Sequence, residues 1–406
     1  MWMMGDLTPE WLNEDFVVAA LQGGEHKEPK VTIANFSVAP ADVLNFSSDI
    51  FRIAVRYRIG KSNQEHSKNL IVKNTDDTAL LQALLGPSIW EKETVYYRDL
   101  LPTMMEKAQC KFAPESFYCS LDRVYIMEDL SKDYILLDSH QQLDFDHFKM
   151  SLTTLAKFHA SSVAVYHEKP DLIKFVGREF FFPEGGGPLK QWIETGVKTY
   201  GEVLSNSEEH KEYADFFLSR ADNIWDAVVE TIKPRANHLN VLNHGDMWTA
   251  NIMFKYSKSG ELDDLKFIDY QSSRYTTPTA DLVYFMYTSG RHDVREHRQK
   301  ELFLHYLQVL NDTLQQLGCP ERFTVEEFKE DLKRMVPWFV AVSPFAFALV
   351  AAGAGEDAQD FSGLTSEDFI AGKGNHLVRK LCLGKTISDR IPNYVRQYLA
   401  LIKSFE

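Results

Sequence analysis

The stretch "LNHGDMWTANIMF" (residues 242–254) combines polar side chains at a fixed spacing. His244 and Asp246 precede Asn251 in the order H-x-D-x-x-x-x-N, and Asp269 ends a later apolar run, "FIDYQ". The intervening polar turn predicts a hairpin that returns Asp269 beside Asp246. This set suits phosphoryl transfer, because a carboxylate accepts the proton of an alcohol while an amide and a second carboxylate bind Mg²⁺. We therefore expect Asp246 to be the base and Asn251 and Asp269 to be the metal ligands.

A lysine and a glutamate earlier in the chain form a second candidate pair. Lys73 lies in the predicted strand "NLIVKN", and Glu93 lies on the same face of a predicted helix as Trp90 and Tyr97. A carboxylate on an apolar face is costly without a cation. A strand lysine paired with a helix glutamate is the arrangement that places a lysine on nucleotide phosphates, so ATP and Mg²⁺ are the expected cofactors. The alternative is a solvated lysine and an unrelated glutamate at the edge of its helix.

The elements expected to position these groups change character near residue 130. Before it, the alternating "FRIAVRYRIG", the strand "NLIVKN" and the hairpin "FYCSLDRVYIMEDL" predict strands around one helix. The start of that helix is indicated by the capping box of Ser88 and Glu91, and its end by Pro102. A further helix start is expected at the N-terminus, with Thr8 as the N-cap and Pro9 in the first turn.

The rest of the chain reads mainly as helices, with one strand pair that carries Asn251 and Asp269. A chain of 406 residues exceeds the usual size of one hydrophobic core, so two units are expected, at residues 1–130 and 131–406. The uncharged residues 335–355 are long enough to span a membrane. Because Pro337 and Pro344 interrupt them, we expect a buried helix or a pocket wall instead.

Charge and cysteine usage limit the partners and the compartment. The formal net charge of −14 disfavours nucleic acid and anionic membrane surfaces, so ATP would need a locally positive site. The four cysteines, with no C-x-x-C pair, are expected to be free thiols. This usage is typical of a reducing compartment, and we expect a cytoplasmic location.

The chain resembles the ecdysteroid kinase-like family, a choline-kinase-like branch of the protein-kinase and aminoglycoside-phosphotransferase fold. The segments that carry the resemblance are "NHGDMWTANIMF", "FIDYQSSRYTTPTADLVYF", "LIVKN", "WEKETVYYRDLLP", "YIMEDLS" and "LAKFHASS". They cover roughly residues 30 to 390. The resemblance implies an α+β, two-lobed protein-kinase-like fold, with a small β-rich N-lobe, a larger mainly helical C-lobe, and ATP between them.

The resemblance also implies roles for further residues. Backbone groups at the end of the N-lobe would hold adenine, and a loop over the phosphates would add contacts, although "ADVLNFSSDIF" lacks the glycines typical of such loops. Asp281 would brace the catalytic loop. The residues so assigned to the nucleotide, besides Lys73 and Glu93, are Asn45, Ser47, Ser48, Glu128, Asp129 and Leu130.

The expected function is transfer of the γ-phosphate of ATP to a hydroxyl of a small lipophilic alcohol, an ecdysteroid or a similar steroid or xenobiotic. Trp192, Trp338 and Phe345 either line an apolar acceptor pocket or belong to the core. Two alternatives remain. One is a kinase-fold binding protein without turnover. The other is a metal-dependent hydrolase that uses His244, Asp246 and Asp269 as ligands.

Overall fold

A computed structural model describes residues 8–40, 48–75, 89–138, 142–187, 189–347, 350, 379 and 382–406 of the 406-residue chain. Asn45, Ser47 and Ser88 lie outside these ranges, so the predicted phosphate loop and capping box do too. Ser48, the remaining member of that loop, is the first residue of a strand.

Five N-terminal strands form one antiparallel sheet: β1 Val31–Pro40, β2 Ser48–Ile59, β3 Glu65–Thr75, β4 Ser116–Phe117 and β5 Val124–Glu128. Their order in the sheet is β1-β2-β3-β5-β4. The alternation predicted for β2 is confirmed, because Phe51, Ile53 and Val55 are buried while Arg52, Ala54 and Arg56 are exposed. In the register of the sheet, Lys73 of β3 lies between Ile50 and Tyr125.

The first helix, α1 (Glu14–Gln22), corrects the predicted N-cap. Its N-cap is Asn13, whose Oδ1 accepts a hydrogen bond from the N–H of Phe16 at 3.1 Å. Asparagine satisfies this helix end as well as a threonine would. Pro9 therefore lies in the turn before the helix, not in its first turn.

The helix that carries Glu93 continues beyond the predicted end. It comprises α2 (Ile89–Val95), a π-helical turn (Tyr96–Leu100) and α3 (Leu101–Ala108). Pro102 does not end the segment. It lies in the first turn of α3, where a missing N–H costs little.

The C-terminal lobe is mainly helical, as predicted. Its long helices are amphipathic or fully buried and pack around one three-stranded and one two-stranded sheet. The helices are α4 Phe145–Glu168, α5 Pro170–Val176, α6 Lys190–Ser205, α7 Ala214–Leu218, α8 Ile224–Thr231, α9 Thr279–Ser289, α10 His292–His297, α11 Gln299–Gln316, α12 Val325–Arg334, α13 Val336–Val342 and α14 Lys385–Ser404. The strands are β6 Ile135–Leu136, β7 Val241–Asn243, β8 Ile252–Tyr256, β9 Leu262–Phe267 and β10 Arg274–Thr276.

Two hydrophobic cores underlie the two lobes. The smaller core joins α1 to the five-stranded sheet, and the larger joins the C-terminal helices with the π turn and α3. The helix bearing Glu93 therefore packs mainly on the C-lobe. The chain has an α+β fold with a small β-rich N-lobe and a larger, mainly helical C-lobe.

The uncharged stretch is a buried wall of the C-lobe. Its described part forms α13 and a π-helical turn (Ser343–Phe347). No helix in the described ranges is long and apolar enough to cross a membrane. Trp192 and Trp338 are only 4% and 2% exposed, and each donates its indole N–H to a backbone carbonyl. They are core residues, which corrects the option that they line a pocket; nothing is described of the Phe345 side chain.

Candidate active site

The loop of His244, Gly245 and Asp246 follows β7 and is held by Asp281 of α9. The carboxylate of Asp281 accepts hydrogen bonds from the N–H of His244 at 2.7 Å and of Gly245 at 3.0 Å. Gly245 has a φ of +85°, and a Cβ there would lie 1.9 Å from the carbonyl oxygen of Ser272. Only glycine fits this position. The bracing role expected of Asp281 is visible in these contacts.

A histidine that the sequence did not single out supports Asp281. His159 of α4 places Nε2 3.2 Å from Oδ2 of Asp281, and its Nδ1 lies 2.6 Å from the hydroxyl of Tyr306. Burial alone would raise the pKa of Asp281, but His159 and the N–H of Gly245 hold it below its ordinary value. The brace is therefore a buried carboxylate that stays ionised.

Asp246 is fixed by two donors. The Tyr284 hydroxyl donates to Oδ1 at 2.7 Å, and Nδ2 of Asn251 donates to Oδ2 at 3.0 Å and to the Asp246 carbonyl at 2.9 Å. Tyr284 was missed in the sequence, although it lies one helical turn after Asp281 in "TADLVYF". Asp246 remains partly exposed, so a substrate hydroxyl can approach it.

Asp269 lies next to this group, as the predicted hairpin requires. The N–H of Ile268 donates to the carbonyl of Asn251 at 3.0 Å, and Nε2 of His244 lies 3.0 Å from the carbonyl of Ile268. Asp269 has a φ of +65°, and its buried Oδ1 has no hydrogen-bond partner among the residues that the structure describes.

The surroundings of Asp269 suit a divalent cation. Burial raises the pKa of Asp269; the Lys73 ammonium opposes the shift, and the Asp246 carboxylate adds to it. A buried carboxylate oxygen without a donor, beside a second carboxylate, is stabilised by a hard cation such as Mg²⁺. Asn251 fits the same site, because its amide nitrogen is engaged with Asp246 and its oxygen is left as an acceptor.

Lys73 and Glu93 meet as predicted. Nζ of Lys73 lies 3.2 Å and 3.0 Å from the two carboxylate oxygens of Glu93, and both side chains are buried. Burial favours a neutral Lys73, but Glu93 and Asp269 outweigh it and raise the pKa of the lysine. Burial raises the pKa of Glu93 against the pull of Lys73. The pair joins β3 to α2 and places the ammonium group near Asp269.

Lys92, the neighbour of Glu93, makes a second buried contact that sequence reasoning missed. Its Nζ donates to the carbonyls of Arg178 at 2.7 Å and Ser273 at 2.6 Å, and lies 4.3 Å from the centre of the Phe180 ring. Burial lowers the pKa of Lys92 to about 7, and a neutral amine still has two N–H donors for two carbonyls. Lys92 thus ties α2 to the segment after Asp269. No local pattern signals this, because both carbonyls come from distant parts of the chain.

The segment that connects the two lobes consists of Glu128, Asp129 and Leu130. The N–H of Glu128 donates to the Glu115 carbonyl and that of Asp129 to the Asn69 carbonyl. Within the described ranges, the N–H of Leu130 makes no hydrogen bond. Of the three backbone N–H groups, this one alone has no acceptor among the described residues.

These lobes, with the site between them, define the two-lobed protein-kinase-like fold. Residues 43–319 match the ecdysteroid kinase-like family, and the chain belongs to that family. Similar solved structures include the ethanolamine kinase of Plasmodium vivax, with 14% identity, a TM-score of 0.39 and coverage of 87% of this chain and 82% of that one. The ADP-bound aminoglycoside phosphotransferase APH(2'')-Ib has 13% identity, a TM-score of 0.34 and coverage of 88% and 94%. The comparison with curated proteins gave no match.

Proposed function

We propose that this chain is an ATP-dependent phosphotransferase that transfers the γ-phosphate to a hydroxyl of a small lipophilic alcohol. The observation that carries the proposal is that Asp269 lies close both to the buried Lys73–Glu93 ion pair and to Asp246, which is hydrogen-bonded to Asn251. A cation for phosphates, a metal-type carboxylate and a base together are what phosphoryl transfer requires.

Each residue has one role in the proposal. Lys73 binds phosphate oxygens and is oriented by Glu93. Asp246 accepts the proton of the substrate hydroxyl, and its orientation is fixed by Tyr284 and Asn251. Asp269 and the amide oxygen of Asn251 would hold Mg²⁺, which when bound neutralises phosphate charge.

The proposed nucleotide contacts extend to the lobe boundary. Leu130 would contact adenine through its free N–H, with Glu128 and Asp129 shaping the same edge. We propose the boundary between the lobes at residues 130 and 131, within the short 3₁₀ turn (Leu130–Lys132) that follows β5. The four cysteines are free thiols, which supports a reducing, cytoplasmic compartment.

For the acceptor, we propose an ecdysteroid or a similar steroid or xenobiotic alcohol. Membership of the ecdysteroid kinase-like family supports this class, and a net charge of −14 disfavours anionic acceptors. Trp338 gives no support, since it is a core residue. Cationic alcohols are the chief competitors, because an acidic protein attracts them.

Two alternatives fit the geometry less well. A binding protein without turnover does not need a complete set of base, lysine and metal-type ligands. For the hydrolase, His244 places Nε2 against the carbonyl of Ile268. Within the described ranges, His244, Asp246 and Asp269 do not bring three ligand atoms within 4.8 Å of one another.

The test is ADP production from ATP and Mg²⁺ with a panel of ecdysteroids, other hydroxylated steroids, choline and an aminoglycoside. We expect steroid alcohols to stimulate it most. Asp246→Asn should retain ATP binding and lose about 10²- to 10⁴-fold in rate, the typical worth of a general base. The exposed Asp312→Asn is the matched control.

Two results would count against the proposal. Activity of Asp246→Asn within about threefold of the parent would move the base elsewhere. If choline or an aminoglycoside stimulates ADP production more than every steroid does, the proposed phosphotransferase activity stands but the proposed class of acceptor is wrong.

A further inference from the structure

Three side chains with metal-binding atoms meet where two C-lobe helices end, outside the residues proposed for phosphoryl transfer. His167 lies in the last turn of α4, and Cys319 and Glu321 follow the end of α11. One ligand atom from each lies within 4.8 Å of the other two. Nε2 of His167 is 2.7 Å from Oε1 of Glu321.

A surface histidine–glutamate pair does not account for the whole arrangement. A histidine–glutamate pair can form without a thiol. Yet the sulfur of Cys319, a residue that is only 4% exposed, lies within 4.8 Å of a ligand atom of each of the other two residues. Oε2 of Glu321 is shielded from solvent and has no hydrogen-bond partner in the part of the chain that the structure describes. A shielded carboxylate oxygen without a donor indicates a missing partner.

We propose that His167, Cys319 and Glu321 bind a zinc ion, with solvent in the fourth position. Imidazole nitrogen, thiolate sulfur and carboxylate oxygen are the ligands that Zn²⁺ takes in proteins, whereas a thiolate disfavours Mg²⁺ and Ca²⁺. The His167 side chain is 39% exposed to solvent, which gives the ion a path of entry.

The distances require only side-chain adjustment. Tetrahedral zinc with ordinary bond lengths separates its ligand atoms by about 3.3–3.7 Å. The His167–Glu321 hydrogen bond must therefore open slightly and the sulfur move inward. The ligand atoms therefore need to move by no more than about 1.5 Å relative to one another, a distance within the reach of side-chain rotation.

Binding changes the protonation of the site. Burial raises the pKa of Cys319 and Glu321 adds to this, while Lys107 and Arg322 oppose it, so the thiol is protonated without metal. When the Zn–S bond forms, the thiol proton passes to solvent. The proton between Nε2 of His167 and Glu321 must also leave Nε2, so that the bound imidazole carries its proton on Nδ1. The bound ion, Lys107 and Arg322 bring four positive charges, and three of these are offset by the thiolate, by Glu321 and by Glu168, which pairs with Lys107.

The consequence is a cross-link between the ends of α4 and α11, two helices that pack together along their length. α4 also carries His159, the partner of Asp281. A ligand that binds only the folded chain stabilises it by mass action. We therefore expect zinc to raise the unfolding temperature, by about 3 °C at a hundredfold excess over Kd.

The test is a zinc titration of metal-stripped full-length protein against a chromophoric chelator, in excess Mg²⁺ so that carboxylate sites are filled. We expect one equivalent to bind, and Co²⁺ to give a thiolate charge-transfer band. His167→Gln, Cys319→Ser and Glu321→Gln should each weaken binding by more than about tenfold. Cys119→Ser and His210→Gln, at unrelated positions, should leave it unchanged.

Glu321→Gln keeps size at a partly exposed position, so it tests the site even if Cys319→Ser disturbs the core. Circular dichroism verifies that each variant is folded. No zinc binding by the parent, or binding that survives both Cys319→Ser and Glu321→Gln, overturns the proposal. None of these readouts uses ADP production, so the site can fail or stand independently of the proposed phosphotransferase activity.

Discussion

The Lys73–Glu93 pair gives the sharpest test of how the lobes are joined at the site. Glu93→Gln keeps the size of the side chain but leaves Lys73, only 6% exposed, without its partner. Breaking a buried ion pair typically costs about 3–5 kcal/mol, because an uncompensated charge stays buried. We expect the low end of that range, since Asp269 also attracts the ammonium group.

The reverse change should cost less. Lys73→Met leaves a carboxyl group whose pKa is already raised by burial, so Glu93 can take up a proton and become neutral. The double variant replaces both charges, and we expect its cost to be below the sum of the single costs by about 1–3 kcal/mol.

The assay is urea unfolding of the parent, both single variants and the double variant, with the half-saturation for ATP measured in parallel. Lys68 and Glu115 provide a matched control, since Lys68 lies on the same strand and the pair is joined at 2.6 Å but exposed. Breaking that pair should cost about 1 kcal/mol or less. Additive costs at Lys73 and Glu93, or costs no larger than those of the control, would refute the reasoning.

Three further predictions concern the surrounding contacts. Lys92 has a pKa of about 7 in the folded chain, against about 10.4 in the unfolded chain. Between these pH values the unfolded state binds more protons, so the free energy of unfolding, relative to that of Lys92→Met, should increase with pH by up to about 1.4 kcal/mol per pH unit. A difference between parent and variant that does not depend on pH contradicts this. Tyr284→Phe removes a donor that orients Asp246 and should lower turnover about tenfold or more while the half-saturation for ATP stays unchanged; unchanged turnover would show that Tyr284 does not position the base. Gly245→Ala should unfold the loop and abolish turnover, because the added Cβ would collide with Ser272. Gly260→Ala, at a similar φ but with open space around it, should be tolerated. Equal loss of turnover in both variants would show that backbone strain alone, and not the contact with Ser272, is the cause.

Local patterns predicted the frame of this site well. The alternation in β2, the hairpin leading to Lys73 and the strand pair between Asn251 and Asp269 all appear where the sequence indicates them. Such signals depend on the two-residue period of a strand and on turn residues, which neighbouring positions determine. The apolar face of the helix also required a partner for Glu93, and Lys73 is that partner.

Helix ends were less predictable, because several local solutions compete. Thr8 and Asn13 both suit an N-cap, and the packing of α1 on the sheet selects Asn13. Pro102 is as acceptable in the first turn of a helix as after its end. Burial over the whole fold chooses between such alternatives.

The sequence alone determined the order of Asp246, Asn251 and Asp269 along the chain, and this order was enough to predict phosphoryl transfer. Which groups hold those residues was decided by tertiary structure. Tyr284, His159 and Lys92 reach their partners across 38, 122 and up to 181 positions. Trp338 likewise became core, not pocket wall. The sequence pattern shows which face of a helix or strand is apolar. A polar side chain loses its water only when distant segments pack around it, and only then does it need one particular hydrogen-bond partner.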